Sequence, residues 1–506
     1  MTLSVEAIGR AVGSTAELAT WARTVRYENI PATTLALARS QLISTLATVR
    51  ASLSHPLGRA LVATFGAPLR GEPKQSAAAL AGLATCLDFD DVSFVGHLSA
   101  SCATVPVAYA RPLGMDGREL LTTIVVANEC AARLTAATIL GPFFRAQANT
   151  HCHLVGAATA LLHARRAPAI EWASALGLAL GMVPTPLHRA VLGSDLKPLT
   201  AALPVRSALD ACDAAAHGMR CTTELLDGGD GLLAQLSAVP LPDLLVAGLG
   251  RRWHTDTVGF KRFPGSAYAQ AAYECAERLS ARLHERELSS IRRIVVHGCL
   301  LTYLLDRKVR PFLDGRRTPV AAANFALGYG LATILLTGRL GPEDLGPGAL
   351  DDERRWRLAD KVSVEHDTAL TEQMLRATAP LGEALRWAGP RAATWPELQA
   401  WAGEELPRRL AELGLPEATF EQATMSIGAR VVIELADGRR LTEQCDRPIG
   451  MTGPATRQHH QVIAGAKFLG VGGGAETLSR LERIETLDHE QTVRTLAVAL
   501  CQPCAR

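Results

Sequence analysis

Apolar residues recur every three to four positions through most of the chain, the spacing of helices that bury a face. Between Ala16 and Ala51 two such helices follow each other. Leu18, Trp21, Ala22 and Val25 form one stripe. Pro31 opens the second, whose stripe includes Leu35, Leu37, Ala38, Leu42, Leu46 and Val49. Ser76–Cys86 and Gly117–Leu140 are apolar enough to predict buried helices, and His151–Arg165, Glu171–Leu187 and Ala201–Gly218 continue the pattern. The period changes after Trp253. Ser289–His297 has the β-branched content of a strand, Pro319–Leu336 returns to helix, and Asp360–Glu365 is a short strand candidate. Met425–Leu435, then Asp437-Gly438, then Arg440–Cys445 predict a hairpin. Ala377–Leu413, rich in Trp and Arg, has the pattern of an inserted helical pair, and Gln458–Ala499 is helical. The pattern predicts a mainly α fold: a large all-helical domain plus a smaller α+β lid. The helical domain takes residues 1–261. The lid takes 262–450 with the insertion at 377–413, and 451–506 return to the helical domain.

A length of 506 residues suffices for two or three domains with sizeable cores, and composition mainly excludes partners. The net charge is +2, and no cluster of Lys and Arg is interleaved with aromatics, so nucleic acid is not an expected partner. The N-terminal MTLSVEAIGRAVGST has no basic start followed by an apolar run. The longest uncharged run, Thr318–Gly338, contains Asn324, glycines and small residues that suit a buried helix rather than a membrane span. Eleven cysteines are scattered singly, which argues against a disulfide framework and fits a reducing cytoplasm. The one CxxC, Cys501–Cys504, has no partner pair, no cysteine trio suggests an iron–sulfur cluster, and no phosphate-binding glycine loop occurs. Nothing here calls for a cofactor.

Candidate chemistry concentrates in Leu87–Ser99, LDFDDVSFVGHLS. Asp88, Asp90 and Asp91 follow an Ala/Leu-rich helix, and His97 comes shortly after. Charge at the end of a buried helix is costly unless it is solvated, paired or used. Either these acids close a helix in a wet turn, or carboxylates and an imidazole converge on a pocket. Lysine is scarce, with only six: Lys74, Lys197, Lys261, Lys308, Lys361 and Lys467. Lys197 is the one basic residue of the loop GSDLKPL, and Lys261 opens KRFPG beside Arg262. A compact ammonium in such a setting suits a point-charge role. His151 and His153 open a helix after Asn149 and Thr150. They are either capped polar residues or one half of a metal site that lacks a third ligand at useful spacing, and no metal is expected.

The order of these segments resembles the MmgE/PrpD family, which includes 2-methylcitrate dehydratase, cis-aconitate decarboxylase and an iminodisuccinate epimerase. LATWARTVRYENIP resembles the family's opening, and Leu87–Ser99 its DFDDT…HPS signature. His151 precedes a Gly/Ala-rich helix, GSDLKPL resembles the SKPL-type loop, KRFP the start of the second domain, and NFALGYGLATILLTGRL its buried helix. The resemblance implies a homodimer with a pocket between domains and a cofactor-independent lyase or isomerase, of dehydratase or decarboxylase type, acting on a small polycarboxylate. His97 is then the first choice for the acid/base, with Asp88 orienting it or acting as partner base. His151 is a second imidazole and Tyr303 a proton donor. Lys197, Lys261, Arg262 and Asp91 are the substrate-binding candidates. Val92 replaces the signature threonine, one residue is missing before His97, and Leu98 stands for proline. GSAYAQ lacks a histidine that many members carry. These departures leave open the substrate, the choice among dehydration, decarboxylation and epimerisation, and a rival in which a repurposed member binds an acidic ligand or modifies a secondary metabolite.

Overall fold

Helix Gly117–Thr138 lies at the centre of the larger part of the fold, and its sequence shows why. Asp116 and Glu119 form a reciprocal capping box: Asp116 Oδ1 accepts from the Glu119 N–H at 2.9 Å, and Glu119 Oε2 from the Asp116 N–H at 3.3 Å. Beyond that start it is apolar on almost every side and is buried along its length, packed against helix His151–Ala164. It is long and apolar enough to cross a membrane, yet its apolar stretch is wholly buried inside the protein. The structure, a computed structural model, describes residues 13–500 apart from 95, 144, 223 and 227. The N-terminal stretch up to residue 12 and the Cys501–Cys504 pair lie outside the described residues.

Helices Ser14–Thr24 and Ala32–Leu53 pack on it directly, while Ala169–Leu180 and Leu199–Ala216 pack on His151–Ala164 and Pro73–Thr85 packs on Leu199–Ala216. They follow the predicted segments closely. Ala169–Leu180 ends earlier than expected, because Gly181 follows it and Pro184 and Pro186 cannot continue a helix. Several polar groups inside this body are paired. Gln41 and Asn128, on two facing helices, exchange amide hydrogen bonds of 3.1 and 2.6 Å. Glu129 accepts from the backbone N–H groups of His254 and Thr255, both at 2.8 Å. Such satisfied networks give a mostly Ala/Leu interior a specific register.

The lid holds a mixed sheet. With β1 (Asp91–Val92) and β2 (Gly259–Phe260) forming a separate two-stranded ladder, the lid strands are β3 (Ile291–Gly298), β4 (Val362–His366), β5 (Ala429–Leu435) and β6 (Arg440–Cys445). Their order is β4-β3-β5-β6; β3 runs parallel to β4 and antiparallel to β5, and β5 and β6 make the predicted hairpin. Gly438 takes the left-handed φ of +87° that its turn requires. Helices Gln270–Ser280 and Leu327–Thr337 cover the sheet. They form a second, smaller core in which Ile294, Val296, Val431 and Ile433 meet Leu279 and Leu331.

Two expectations need revision. The uncharged run 318–338 is not one helix but two, Val320–Phe325 and Leu327–Thr337, with an extended residue, Ala326, between them. The inserted helical pair is instead three short helices, Gly382–Ala388, Pro396–Ala402 and Leu406–Ala411, because prolines and the left-handed Gly389 and Gly403 interrupt the periodicity. This insertion packs on the larger core, not on the lid sheet: Leu385, Trp395, Leu398 and Leu406 belong to it. Buried Glu383 accepts a hydrogen bond from Arg252 of the main body. The chain then returns through helices Pro454–Gly470, Ala475–Leu481 and His489–Leu500, the first lying along Ala32–Leu53.

Candidate functional site

Helix Pro73–Thr85 is made mainly of small residues, so its neighbours approach closely, and it ends at Cys86. Two residues later Asp88 adopts a left-handed φ of +50°, unusual for a residue with a side chain. That turn throws the chain into β1. The antiparallel register pairs Asp91 with Phe260 and Val92 with Gly259, which brings Asp90 opposite Lys261. The close sequence spacing of the three acids and the β1–β2 ladder thus place two carboxylates and a lysine together in the interior.

The resulting cluster is tightly paired. Lys261 Nζ lies 2.9 Å from Asp88 Oδ1, 3.2 Å from Asp90 Oδ1 and 3.1 Å from the Asp88 carbonyl oxygen. Lys197 Nζ reaches the same Asp88 Oδ1 at 3.0 Å and lies over the Phe325 ring, 4.9 Å from its centroid. His97 Nδ1 lies 2.8 Å from Asp90 Oδ2. Asp88 and Asp90 are 1% and 0% exposed, whereas the His97 side chain is 29% exposed. Burial opposes ionisation of both acids. For Asp88 the Lys197 and Lys261 charges outweigh it, and for Asp90 the His97 and Lys261 charges do, so both carboxyls sit below the usual carboxylate range. An ionised carboxylate can only accept, so Nδ1 of His97 carries the proton and Nε2 is left as the atom that exchanges protons.

His97 and Lys197 share the wall of a cavity of about 140 Å³ between the helical body and the lid. Thr85, Asn149 and Thr150 line it from the body, and Tyr268, Leu305 and Phe325 from the segments beyond residue 261. Its size suits a small molecule. The cluster also has a metal-like aspect, since Asp88, Asp90 and His97 bring one ligand atom each within 4.8 Å of one another. Two ammonium groups already neutralise those carboxylates, so the donor set fits a lysine-paired site better than a cation site.

Not every candidate reaches the cavity. Asp91 points away from it: its oxygens accept from Gln41 Nε2 at 2.5 Å and from Ser99 Oγ at 2.6 Å, so it braces the loop. Lys261 is 1% exposed and wholly engaged by Asp88 and Asp90, which makes it a support rather than a free anion holder. Arg262 is tied to Glu277 at 3.0 Å and faces Glu274, away from the cavity. Tyr303 lies against Arg307 and the His366 ring and does not line the cavity. His151 is buried behind the cavity, bonded through Nε2 to Thr138 Oγ1 at 2.9 Å, and burial pushes its pKa down to about 4. Its neighbour His153 lines the cavity instead, 3.4 Å from Ser101 Oγ, with burial first and then the His97 charge lowering its pKa to about 3. Gly156 lets that helix approach: a Cβ there would stand 2.4 Å from Ser101 Oγ.

Three further residues matter that the sequence did not single out for the site. Asp90 is the direct partner of His97. Tyr268, from the GSAYAQ segment, faces the cavity on the lid side, with burial raising its hydroxyl pKa. Lys467 comes from the C-terminal return, and its Nζ donates to the Phe89 carbonyl and to Ser44 Oγ, pinning the backbone between Asp88 and Asp90. Burial lowers the Lys467 pKa to about 7. Val92, which replaces a signature threonine, is buried in β1 and is not part of the cavity wall.

The architecture is thus a mainly helical body and a small α+β lid, with a carboxylate–lysine–imidazole cluster on a cavity between them. Residues 16–244 match the MmgE/PrpD N-terminal domain and residues 263–384 the MmgE/PrpD C-terminal domain, and the chain belongs to the MmgE/PrpD family. The family is one of dehydratase-type enzymes. None of the curated proteins matches the chain.

Proposed function

We propose that the protein is a cofactor-independent lyase or isomerase, of dehydratase or decarboxylase type, that moves a proton next to the carboxylate of a small acid. The observation that carries this reading is the pairing on one cavity wall: His97 backed by Asp90 at 2.8 Å, and Lys197 held by Asp88 at 3.0 Å. Lys197 holds the substrate carboxylate and disperses the enolate-like charge as it forms. Nε2 of His97 takes or returns the proton, and the Asp90 carboxylate stabilises the imidazolium while it exists. Asp88 positions Lys197 and Lys261 so that neither ammonium drifts toward solvent. The neutral His153 imidazole and the Tyr268 hydroxyl stand nearby as donors for a leaving hydroxide or carbonyl oxygen. Every step uses groups of the chain itself.

The test is direct. Incubation with citrate, 2-methylcitrate, cis-aconitate, iminodisuccinate and simple alkyl- and aryl-substituted acids, without added metal, is followed by mass spectrometry of the products. Loss of water, loss of CO2 or inversion of a stereocentre on any acid is the expected result. Unchanged recovery of every acid, from a protein that binds one of them, would leave a binding role instead.

A further inference from the structure

The family resemblance leads one to expect a polycarboxylate, but the charge lining the cavity suits fewer carboxylates. Among the described residues that line it, Lys197 is the one Lys or Arg, and no Asp or Glu joins it. Lys261 sits behind, consumed by Asp88 and Asp90. Arg262 is paired elsewhere with Glu277. Lys308 lies behind the wall, donating to the Phe143 carbonyl at 2.5 Å. The two remaining imidazoles, His153 and His188, are kept neutral, burial pushing each down to about 3. The charge balance follows. Asp88 and Asp90 are matched by Lys197 and Lys261, and His97 in its protonated form adds a single positive charge. One bound carboxylate is thereby compensated. A tricarboxylate would leave two negative charges in a largely buried space with no second Lys or Arg on the lining to meet them, an arrangement proteins avoid. Lys308 stands one layer back, 3.4 Å from His188 Nδ1.

The apolar part of the lining has a clear chemical character. Val191, Leu192, Leu305 and Phe325 belong to it, and Leu192 and Phe325 pack in one small apolar cluster with Val309 and Ala322. Phe325 is the ring beneath the Lys197 ammonium. The apolar surface therefore starts beside the anion-holding group and continues from it. Gln147, Asn149 and Thr150 add neutral donors and acceptors to the lining, suited to a hydroxyl or carbonyl rather than to a second full charge.

We infer that the substrate carries one carboxylate, seated on Lys197, next to a short apolar substituent that lies against Val191, Leu192, Leu305 and Phe325. This rests on the proposed site and narrows the acid it takes. The cavity volume of about 140 Å³ limits that substituent to a short alkyl chain or a single ring.

Calorimetric titration of the full-length protein with hexanoate, cinnamate and tricarballylate tests the inference, using wild type, Lys197→Met and Leu192→Asn. Hexanoate or cinnamate should bind at least about tenfold more tightly than tricarballylate. Lys197→Met should weaken the monocarboxylates roughly ten- to hundred-fold, the range for a lost hydrogen bond to a charged group. Leu192→Asn leaves the ammonium in place and should weaken hexanoate by roughly tenfold. Tighter binding of tricarballylate, dependent on Lys197, would overturn the apolar-substituent inference and leave the proposed site standing. Binding of any of these acids that is indifferent to Lys197→Met, or no binding by wild type at all, would overturn both. If Lys197→Met does not fold, the wild-type ranking and Leu192→Asn decide the matter.

Discussion

Asp88 is the residue on which the cluster turns, and its replacement separates charge from backbone geometry. Its Oδ1 receives Lys261 at 2.9 Å and Lys197 at 3.0 Å, at 1% exposure. Asp88→Asn removes the charge while keeping a side chain that tolerates the left-handed φ of +50°. Breaking a buried ion pair by removing one partner costs about 3–5 kcal/mol. Lys261 retains Asp90 at 3.2 Å, so the lower end, about 3 kcal/mol, is expected. Asp88→Ala should cost roughly 1 kcal/mol more than Asp88→Asn, because Ala lacks the short polar side chain whose local hydrogen bonds ease the left-handed conformation. Denaturant titration followed by far-ultraviolet circular dichroism at pH 7 measures both. The pH dependence has a defined sign. The native Asp88 carboxyl lies below its unfolded value, so its stabilisation is complete above about pH 4 and is lost as pH falls further. The gap between wild type and Asp88→Asn should therefore narrow below about pH 4. An Asp88→Asn variant within about 1 kcal/mol of wild type at pH 7, or a gap that does not narrow in acid, would refute the pairing argument.

The native Lys467 pKa, about 7, lies below the unfolded value, so between about pH 7 and 10 the unfolded chain binds the extra proton. Wild-type stability should rise relative to Lys467→Met by about 1.4 kcal/mol per pH unit over that window, and paired melts that track each other would contradict this. Glu383→Gln, which frees buried Arg252 of its partner in the insertion, should destabilise by about 3 kcal/mol yet leave hexanoate affinity within about twofold. A change in affinity would tie the insertion to the cavity. Light scattering should give a homodimer. Ile170, Met182, Leu187, Leu203 and Met219 are all exposed on one stretch of neighbouring helices and turns, and a monomer mass at micromolar concentration would remove that expectation.

The helical body was legible in the sequence because its signal is periodic and local: long apolar stripes, capping residues and closing prolines mark where those helices run, although packing of the stripes is what stabilises them. Asp88, His97 and Lys197 were noticeable as charges beside apolar segments, but their roles came from the resemblance to the MmgE/PrpD family, since an acidic turn by itself reads equally as a solvated helix end. What the sequence could not show was which of these charges satisfy one another. The Lys261–Asp88 contact spans 173 positions and depends on the register of a two-residue ladder. Lys467 reaches Phe89 across 378 positions. His151 and His153 are two residues apart on a helix and so face nearly opposite sides, a choice made only by packing against the Ser99–Cys102 helix. The insertion misled for a local reason: its apolar spacing is helical, and the glycines and prolines that cut it into three pieces are scattered between the stripes.

The central claim is that His97 exchanges a proton with the carbon beside a carboxylate held at Lys197. Deuterium uptake from D2O into a bound acid, read by mass spectrometry, tests this without knowing whether the full reaction loses water or CO2. Wild type should place deuterium next to the carboxylate of an acid that it binds, and His97→Gln should do so roughly 10²–10⁴-fold more slowly while binding that acid about as well. Uptake at the wild-type rate in His97→Gln would contradict the account.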